Sequence, residues 1–190
     1  AREFLAFGAR VCVVARSGEN IRAMQEQEGE NFTGIQEDLS KEEAFRNVAA
    51  FAEKQYGKLD ILVNNVGMNI RKKTEAYSRE EYEQILTTNL TSVFEMSREA
   101  RPLLKKSEAA SIVNISSVAG QKHVKTGSVY GMTKAAMIQL TKNLACEWAV
   151  DNIRVNAIAP WYIKTPLANE VLKDATYYDE VISRTPLGRV

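Results

Sequence analysis

Histidine and cysteine are scarce in this sequence, with one His and two Cys among 190 residues. His123 is the only imidazole, so the chain cannot assemble a cluster of histidine and cysteine ligands for a transition metal. Cys12 and Cys146 fall in a predicted strand and a predicted helix, without the paired spacing of a disulfide framework. We therefore predict no metal site and two buried free thiols, which indicate a reducing compartment.

Long apolar runs and a large excess of one charge are also lacking. No stretch approaches the ~20 apolar residues that span a bilayer, and the amino terminus does not have the layout of a signal peptide. Lys and Arg total 25 against 24 for Asp and Glu, so the charge balance gives no support for a nucleic-acid partner. We expect a single cytoplasmic domain over residues 1–190, not attached to a membrane and with no nucleic acid as partner.

Segments typical of strands and of helices alternate along the chain. Short β-branched runs indicate five strands, at Val11–Ala15, Phe32–Gln36, Leu59–Val63, Ser111–Ser116 and Ile153–Ala159. Amphipathic segments indicate helices, at 2–8, 19–28, 41–56, 79–104 and 128–149. Capping-box patterns support helix starts at Ser40 and Ser78, and Pro102 predicts a kink. The alternation predicts an α/β fold, a Rossmann-like, doubly wound parallel sheet in three α/β/α layers, with its ligand at the carboxyl ends of the strands.

Tyr130 and Lys134 are four residues apart in a predicted helix, so their side chains share one face a single turn apart. Tyrosine and lysine at this spacing also occur on solvated helix faces. A phenol with a pKa of about 10 is a poor acid or base at neutral pH, but a nearby ammonium lowers that pKa. Ser117 lies thirteen residues before Tyr130 and could hold a substrate oxygen by a hydrogen bond. The three side chains therefore suggest general acid/base chemistry on an oxygen atom.

Two further motifs accompany these residues in a fixed order along the chain: Asn64-Asn65-Val66-Gly67 after a predicted strand, and Asn89 within a predicted helix. Together the motifs resemble the short-chain dehydrogenase/reductase family, in its branch that uses NADP(H). Within that family, three segments look most like tropinone reductases and their relatives, which reduce cyclic ketones: Leu144–Ala149, Asp151–Asn156 and Pro186–Arg189. The resemblance implies hydride transfer between NADP(H) and a small carbonyl or secondary alcohol.

The resemblance also implies a catalytic set of Asn89, Ser117, Tyr130 and Lys134. Tyr130 would exchange a proton with the substrate oxygen, while Ser117 polarises that oxygen. Lys134 would lower the pKa of the phenol and bond the nicotinamide ribose. The backbone carbonyl of Asn89 would hold a water molecule that links Lys134 to solvent. Ser116 is a competing candidate, but alternation along the strand and the spacing to Tyr130 favour Ser117.

The residues that end the first predicted strand indicate which nicotinamide cofactor is used. An acid at this position suits the ribose hydroxyl of NAD, whereas arginine accommodates the extra phosphate of NADP. The sequence there contains Arg16 and no acid, which favours NADP(H); a plain surface arginine is the alternative. The resemblance implies cofactor contacts from Arg16, Ser17, Asp38, Leu39, Asn65, Val66, Gly67, Tyr130, Lys134, Pro160, Ile163 and Thr165.

The sequence departs from the family pattern in several places. No glycine-rich phosphate loop precedes Arg2, and the sequence stops at Val190, where family members usually continue. We therefore expect a fragment that binds cofactor weakly. Trp161 replaces a glycine, which either changes the local backbone path or forms one wall of the substrate pocket, whereas Val66 replaces a smaller alanine. Residues 166–184, which include Leu167, indicate either a helical lid over the substrate or a surface hairpin.

Two other functions stay open from the sequence. A 3-oxoacyl-carrier-protein reductase would need basic residues at the site mouth to meet an acidic carrier, and Arg71-Lys72-Lys73 could supply them. A non-catalytic NADP(H)-sensing or scaffold protein is the alternative of another class. The presence of all four implied catalytic residues argues against that alternative. The helices at 79–104 and 128–149 resemble the family's four-helix interface, which predicts a homodimer or homotetramer.

Overall fold

The computed structural model describes the backbone of residues 1–190 and every side chain except those of residues 166 and 167. It contains five strands: β1 Val11–Ala15, β2 Phe32–Gln36, β3 Ile61–Asn64, β4 Ala110–Ile115 and β5 Ile153–Ile158. All strand pairs are parallel, with β1 beside β2 and with β4 between β3 and β5. The predicted parallel α/β fold is confirmed, and each strand begins and ends within two residues of its predicted bounds.

Eight α-helices connect and flank these strands. They are α1 Arg2–Ala6, α2 Gly18–Glu28, α3 Glu42–Tyr56, α4 Arg79–Leu86, α5 Ser92–Leu104, α6 Ser128–Glu147, α7 Pro166–Val171 and α8 Ala175–Ser183. The last two helices confirm that residues 166–184 contain helix. The side chain of Leu167, which that prediction names, lies outside the described side chains. No helix among the described residues combines the length and the apolar character that a bilayer crossing requires.

The main core lies where α5 and α6 pack on β4 and β5. Ile112 on β4 and Leu104 on α5 are fully buried, and Leu144 and Trp148 close the same cluster from the α6 side. A smaller cluster on α3 and α5, built on Phe45, packs against residues of the β1–β2 region. The helices thus pack against the faces of the strands, and polar residues can lie at the carboxyl ends of the strands.

The long helix predicted at 79–104 is interrupted, but not where proline predicts. Helix α5 continues through Pro102 to Leu104. The interruption is a wide π-helical turn at Thr87–Thr91, which contains the fully buried Asn89. Such turns insert an extra residue into a helix and are frequent at functional sites. The helix is therefore distorted at Asn89.

One capping prediction is confirmed and the other is wrong. Ser78 and Glu81 exchange both hydrogen bonds of a capping box at the start of α4. Helix α3 instead begins at Glu42, and its N-cap residue Lys41 makes no side-chain capping bond. The amide of Ser40 donates to Asp38 Oδ1 at 3.0 Å, so the chain forms a turn here before the helix begins.

The prediction of two buried thiols is wrong for Cys146. Cys12 is half-buried on β1, and burial raises its pKa to about 11. Cys146 is exposed, because α6 buries Leu144 and Trp148 on the sheet side. A residue halfway between those two positions points to the opposite face of the helix. Among the described residues no group of three or more His, Cys, Asp and Glu side chains converges as a metal site would require.

Candidate active site

The carboxyl ends of β3, β4 and β5 meet at one edge of the sheet. The register pairs Asn64 with Asn114 and Ile115 with Ile158, so the loops that follow begin side by side. Beyond the strands, the amide of Val118 donates to the Pro160 carbonyl at 3.1 Å. This bond joins the loops after β4 and β5, and the polar residues in them share one site.

A buried network of polar side chains supports this edge of the sheet from the protein interior. The Asn64 side-chain amide donates to Asn114 Oδ1 at 2.8 Å and to Ser97 Oγ at 3.2 Å. The Asn114 amide donates to Thr141 Oγ1 at 2.9 Å. Buried polar groups of this kind are stable only when their partners are correctly placed, so the network sets the relative positions of β3, β4, α5 and α6. Sequence reasoning did not identify it, because the four residues are far apart in the chain.

Ser117, and not Ser116, faces the phenol of Tyr130. Its hydroxyl accepts from the Ala119 amide at 3.1 Å and lies close enough to Tyr130 to lower the pKa of the phenol. Ser116 is buried and donates to the Lys134 carbonyl at 2.9 Å. The neighbouring serines therefore differ in geometry: Ser116 fastens the loop to α6, and Ser117 presents a hydroxyl to the site.

Lys134 lies one turn after Tyr130 on α6, with its ammonium 5.7 Å from the centre of the phenol ring. It is only 4% exposed, and burial lowers its pKa to about 8. Its Nζ donates to the Ile115 carbonyl at the end of β4, at 2.7 Å. Close packing supports this arrangement, because a Cβ on Gly120 would lie 2.6 Å from the Lys134 carbonyl carbon.

The expectation that Lys134 lowers the pKa of Tyr130 is wrong for this structure. Burial dominates and raises the pKa of Tyr130 above its usual value. The groups that oppose this rise are the Ser117 hydroxyl and the Arg71 guanidinium, whereas the Lys134 ammonium is turned toward the Ile115 carbonyl. The sequence suggests Arg71 only as one of three basic residues at a site mouth, and the folded chain brings it near the phenol.

The buried Asn89 ties the π-helical turn to the loop after β3. Its side chain accepts from the Met68 amide and donates to the Met68 carbonyl, both at 2.8 Å. It also donates to Thr133 Oγ1 on α6 at 3.3 Å. A Cβ on Gly67 would lie 3.5 Å from Asn89 Oδ1 and 3.7 Å from Lys134 Nζ, so the loop runs directly past both side chains. Asn89 is thus a structural junction of the site.

The residues predicted to meet adenosine lie at the ends of β1 and β2. Arg16 is exposed, and its carbonyl accepts from the Gln36 side chain at 3.1 Å. Asp38 has a lowered pKa, mainly because it accepts the Ser40 amide bond, with a smaller effect of Arg16. Ser17 caps α2 by accepting from the Asn20 amide. A cation and a carboxylate therefore flank one exposed edge.

The remaining predicted cofactor residues follow β2, β3 and β5 in the chain. Asn65 and Val66 are exposed after β3, whereas Leu39 packs into the smaller core cluster and offers only its backbone. After β5, Ile163 is 56% exposed, and Thr165 caps α7 by accepting from the Ala168 amide at 3.2 Å. The structure thus brings the catalytic candidates together, whereas the other cofactor candidates follow the carboxyl ends of β1, β2, β3 and β5.

Aromatic side chains after β5 and on α8 pack together beside the site. Tyr162 stacks edge-on against Trp161 at 4.9 Å between ring centres, and its hydroxyl hydrogen bonds to that of Tyr177. Trp161 donates from Nε1 to Thr185 Oγ1 at 3.0 Å and lines a narrow crevice with Val181. The expectation that Trp161 forms a wall of the substrate pocket stays a prediction.

Comparison with known proteins finds a matching family model and similar plant proteins. A family model described as short chain dehydrogenase matches residues 1–176. A tropinone reductase homolog of Arabidopsis thaliana is 49% identical over 192 residues, covering 99% of this chain and 73% of that protein. Senescence-associated protein 13 of the same plant is 44% identical and covers 99% of this chain and 71% of that protein.

Solved structures are similar as well. A crystal structure assigned as a short-chain dehydrogenase/reductase from Burkholderia xenovorans has a TM-score of 0.89 at 28% identity, covering 97% of this chain and 73% of that one. A structure assigned as a short-chain alcohol dehydrogenase from Sinorhizobium meliloti 1021 has a TM-score of 0.88 at 32% identity. That match covers 95% of this chain and 73% of the other.

The chain belongs to the short-chain dehydrogenase/reductase family. It is therefore an oxidoreductase of a class that uses a nicotinamide cofactor, NAD or NADP. Within the family it is tropinone reductase-like, which confirms the resemblance predicted from its sequence motifs.

Proposed function

We propose that this protein transfers a hydride between NADP(H) and a carbonyl or secondary alcohol, and that it reduces a small cyclic ketone. The observation that carries the proposal is the position of the Ser117 hydroxyl, which is close enough to the Tyr130 phenol to lower its pKa, with the buried Lys134 one helical turn further along. A hydroxyl and a phenol that face each other can both bond one carbonyl oxygen.

The bound cofactor supplies the hydride that adds to the carbonyl carbon. Ser117 donates a hydrogen bond to the carbonyl oxygen, and Tyr130 transfers its phenolic proton to that oxygen, which leaves an alcohol and a phenolate. Lys134, whose pKa burial lowers to about 8, is the proposed source of the proton that restores the phenol. Asn89 holds the loop at Met68 in place, and its backbone carbonyl is the proposed site for a water molecule that connects Lys134 to solvent.

Arg16 and Asp38 support NADP(H) as the cofactor. The exposed guanidinium offers paired donors for a ribose phosphate, and the nearby carboxylate offers an acceptor for the adenine amine. These donors and acceptors fit the adenosine end of NADP(H) better than that of NAD, which lacks the phosphate. Ser17, Leu39, Asn65, Val66, Gly67, Pro160, Ile163 and Thr165 complete the proposed contacts.

The test is oxidation of NADPH, followed by absorbance, with protein expressed from its natural reading frame and with tropinone and neutral cyclic ketones as substrates. Tyr130→Phe removes only the reacting hydroxyl. Tyr56→Phe is the matched control, since the buried Tyr56 hydroxyl on α3 has no hydrogen-bond partner among the described residues. Turnover lost in the first variant and retained in the second supports the proposal; NADPH binding without turnover of any ketone favours a sensor or scaffold.

A 3-oxoacyl-carrier-protein reductase is the second candidate. A cavity of about 780 Å³ is lined by Arg71, Lys72, Lys73 and further basic residues, which suits an acidic carrier. Lys72, however, is already paired with Glu81. Faster turnover of a carrier-bound 3-oxoacyl thioester than of any free cyclic ketone would favour this function.

A cytoplasmic homodimer or homotetramer is part of the proposal. Helices α5 and α6 expose Phe94 and Met132, which are 47% and 53% accessible. Exposed apolar side chains on neighbouring helices suit association with a second copy. Light scattering coupled to size-exclusion chromatography measures the assembly, and a monomeric mass contradicts it.

A further inference from the structure

Arg71 is an exposed cation beside the candidate catalytic residues. Its Nη1 donates to the Tyr177 hydroxyl at 3.5 Å, and although partial burial works against its charge, the neighbouring Tyr162 and Tyr177 raise the pKa of Arg71 above its usual value. The guanidinium carbon lies 5.9 Å from the ring centre of Tyr177. Burial raises the pKa of Tyr162 to about 12, so this phenol provides no negative charge at neutral pH. Arg71 thus stays charged while its phenol partners contribute hydrogen bonds.

No carboxylate among the described side chains compensates this charge. Two of the other basic residues that line the same cavity are paired, Lys72 with Glu81 and Lys125 with Glu180, whereas Lys73 and Lys122 make no ion pair among the described side chains and add to its positive charge. An exposed guanidinium that lines a cavity and has no counter-ion presents its paired donors to a ligand, and a bidentate anion satisfies both its charge and its donors. The cation therefore lies where an anionic group in the cavity can reach it.

The position of Arg71 relates this cation to the reaction. It acts on the phenol of Tyr130, and it lines the 780 Å³ cavity together with Gly127 and Gly131. The aromatic rings of Tyr162 and Tyr177 next to it offer apolar surface for the body of a substrate.

We propose that Arg71 determines substrate specificity by holding an anionic oxygen group, a carboxylate or a phosphate, of the carbonyl substrate. The inference rests on the proposed function and names its substrate class: ketones that carry an anion are preferred to neutral ketones. Ketones that carry an ammonium group, such as tropinone, are disfavoured because the guanidinium repels them.

The kinetic test compares NADPH-dependent reduction of 3-oxocyclohexanecarboxylate with that of its methyl ester. We expect kcat/KM to be about 10- to 100-fold higher for the acid, the range of a charge-assisted hydrogen bond. Arg71→Gln removes this preference, and Arg71→Lys keeps part of it. Arg46→Gln, the same change at an exposed position on α3, keeps all of it. Equal turnover of acid and ester by the wild type overturns the proposal.

A binding test separates this proposal from the proposed reaction. Calorimetry with the unreactive cyclohexanecarboxylate, cyclohexyl phosphate and cyclohexanecarboxamide measures anion binding without turnover. At least tenfold tighter binding of either anion than of the amide, lost in Arg71→Gln, supports the anion site even if no ketone is reduced. The tighter of the two anions identifies the group. Equal affinity for anion and amide overturns the site even if neutral ketones are reduced.

Discussion

Replacing Lys134 with methionine tests the free-energy penalty of the buried ammonium. Burial shifts the pKa of Lys134 from 10.5 to about 8, which disfavours the charged folded state by about 3 kcal/mol, at about 1.4 kcal/mol per pKa unit. Methionine removes this penalty, but it leaves the Ile115 carbonyl without its donor, at a cost of about 1–3 kcal/mol. We expect Lys134→Met to increase the free energy of unfolding by about 1 kcal/mol at neutral pH and to abolish turnover.

The difference in the free energy of unfolding between Lys134→Met and the wild type is expected to change sign with pH. The pKa of Lys134 is lower in the folded state, so between about pH 8 and about pH 10.5 the unfolded chain binds more protons. The stability of the wild type rises with pH across this window relative to the variant. Below about pH 8 both states are protonated and the penalty is complete, whereas above about pH 10.5 it is gone. The variant is then less stable than the wild type by about 2 kcal/mol.

Urea unfolding of both proteins across this range of pH measures the difference directly. Other titrating groups change both proteins alike and cancel in the comparison. Lys142→Met replaces an exposed lysine on the same helix and is expected to show no such window. A difference between Lys134→Met and wild type that stays constant from pH 8 to pH 10.5 would refute the reasoning.

Three further predictions follow from the site. Tyr130→Phe should reduce kcat about 10²- to 10⁴-fold with little change in NADPH affinity measured by fluorescence titration, because only the proton donor is removed. Arg16→Asp should lower the ratio of kcat/KM for NADPH over NADH by about 10²-fold, since it exchanges phosphate donors for a repelling charge; an unchanged ratio contradicts the role of Arg16. Asn89→Ala should lower the free energy of unfolding by about 2–4 kcal/mol in urea, because both backbone groups of Met68 lose their partner. A loss below about 1 kcal/mol would mean that water replaces the Asn89 amide.

The strands and helices of this fold could be predicted because the local sequence pattern favours the same structure as the packing of the folded chain. The β-branched run Val11–Ala15 and the capping box at Ser78 indicate a strand and a helix start, and the contacts of the folded chain agree with both. The spacing of Tyr130 and Lys134 fixes one helical face in the same way. Short-range signals of this kind survive folding because no distant residue competes with them.

The failed predictions concern residues whose behaviour depends on distant partners. Ser40 has the sequence of a helix cap, yet its amide is taken by Asp38. The π-helical turn forms at Asn89 because that side chain satisfies the backbone of Met68, twenty-one residues away. The pKa of Tyr130 is decided by burial, by Ser117 and by Arg71, and none of these contributions can be obtained from helix spacing.

The pKa of Tyr130 bears on the direction of the proposed reaction. Carbonyl reduction needs the phenol with its proton, and alcohol oxidation needs the phenolate. Because burial raises the pKa of Tyr130, the phenol keeps its proton throughout the neutral range. Lys134, with a pKa of about 8, is the group beside it that exchanges protons most readily near neutrality. In the proposed reaction, the electrostatics of the folded chain thus keep Tyr130 in the protonated form that donates to a carbonyl oxygen.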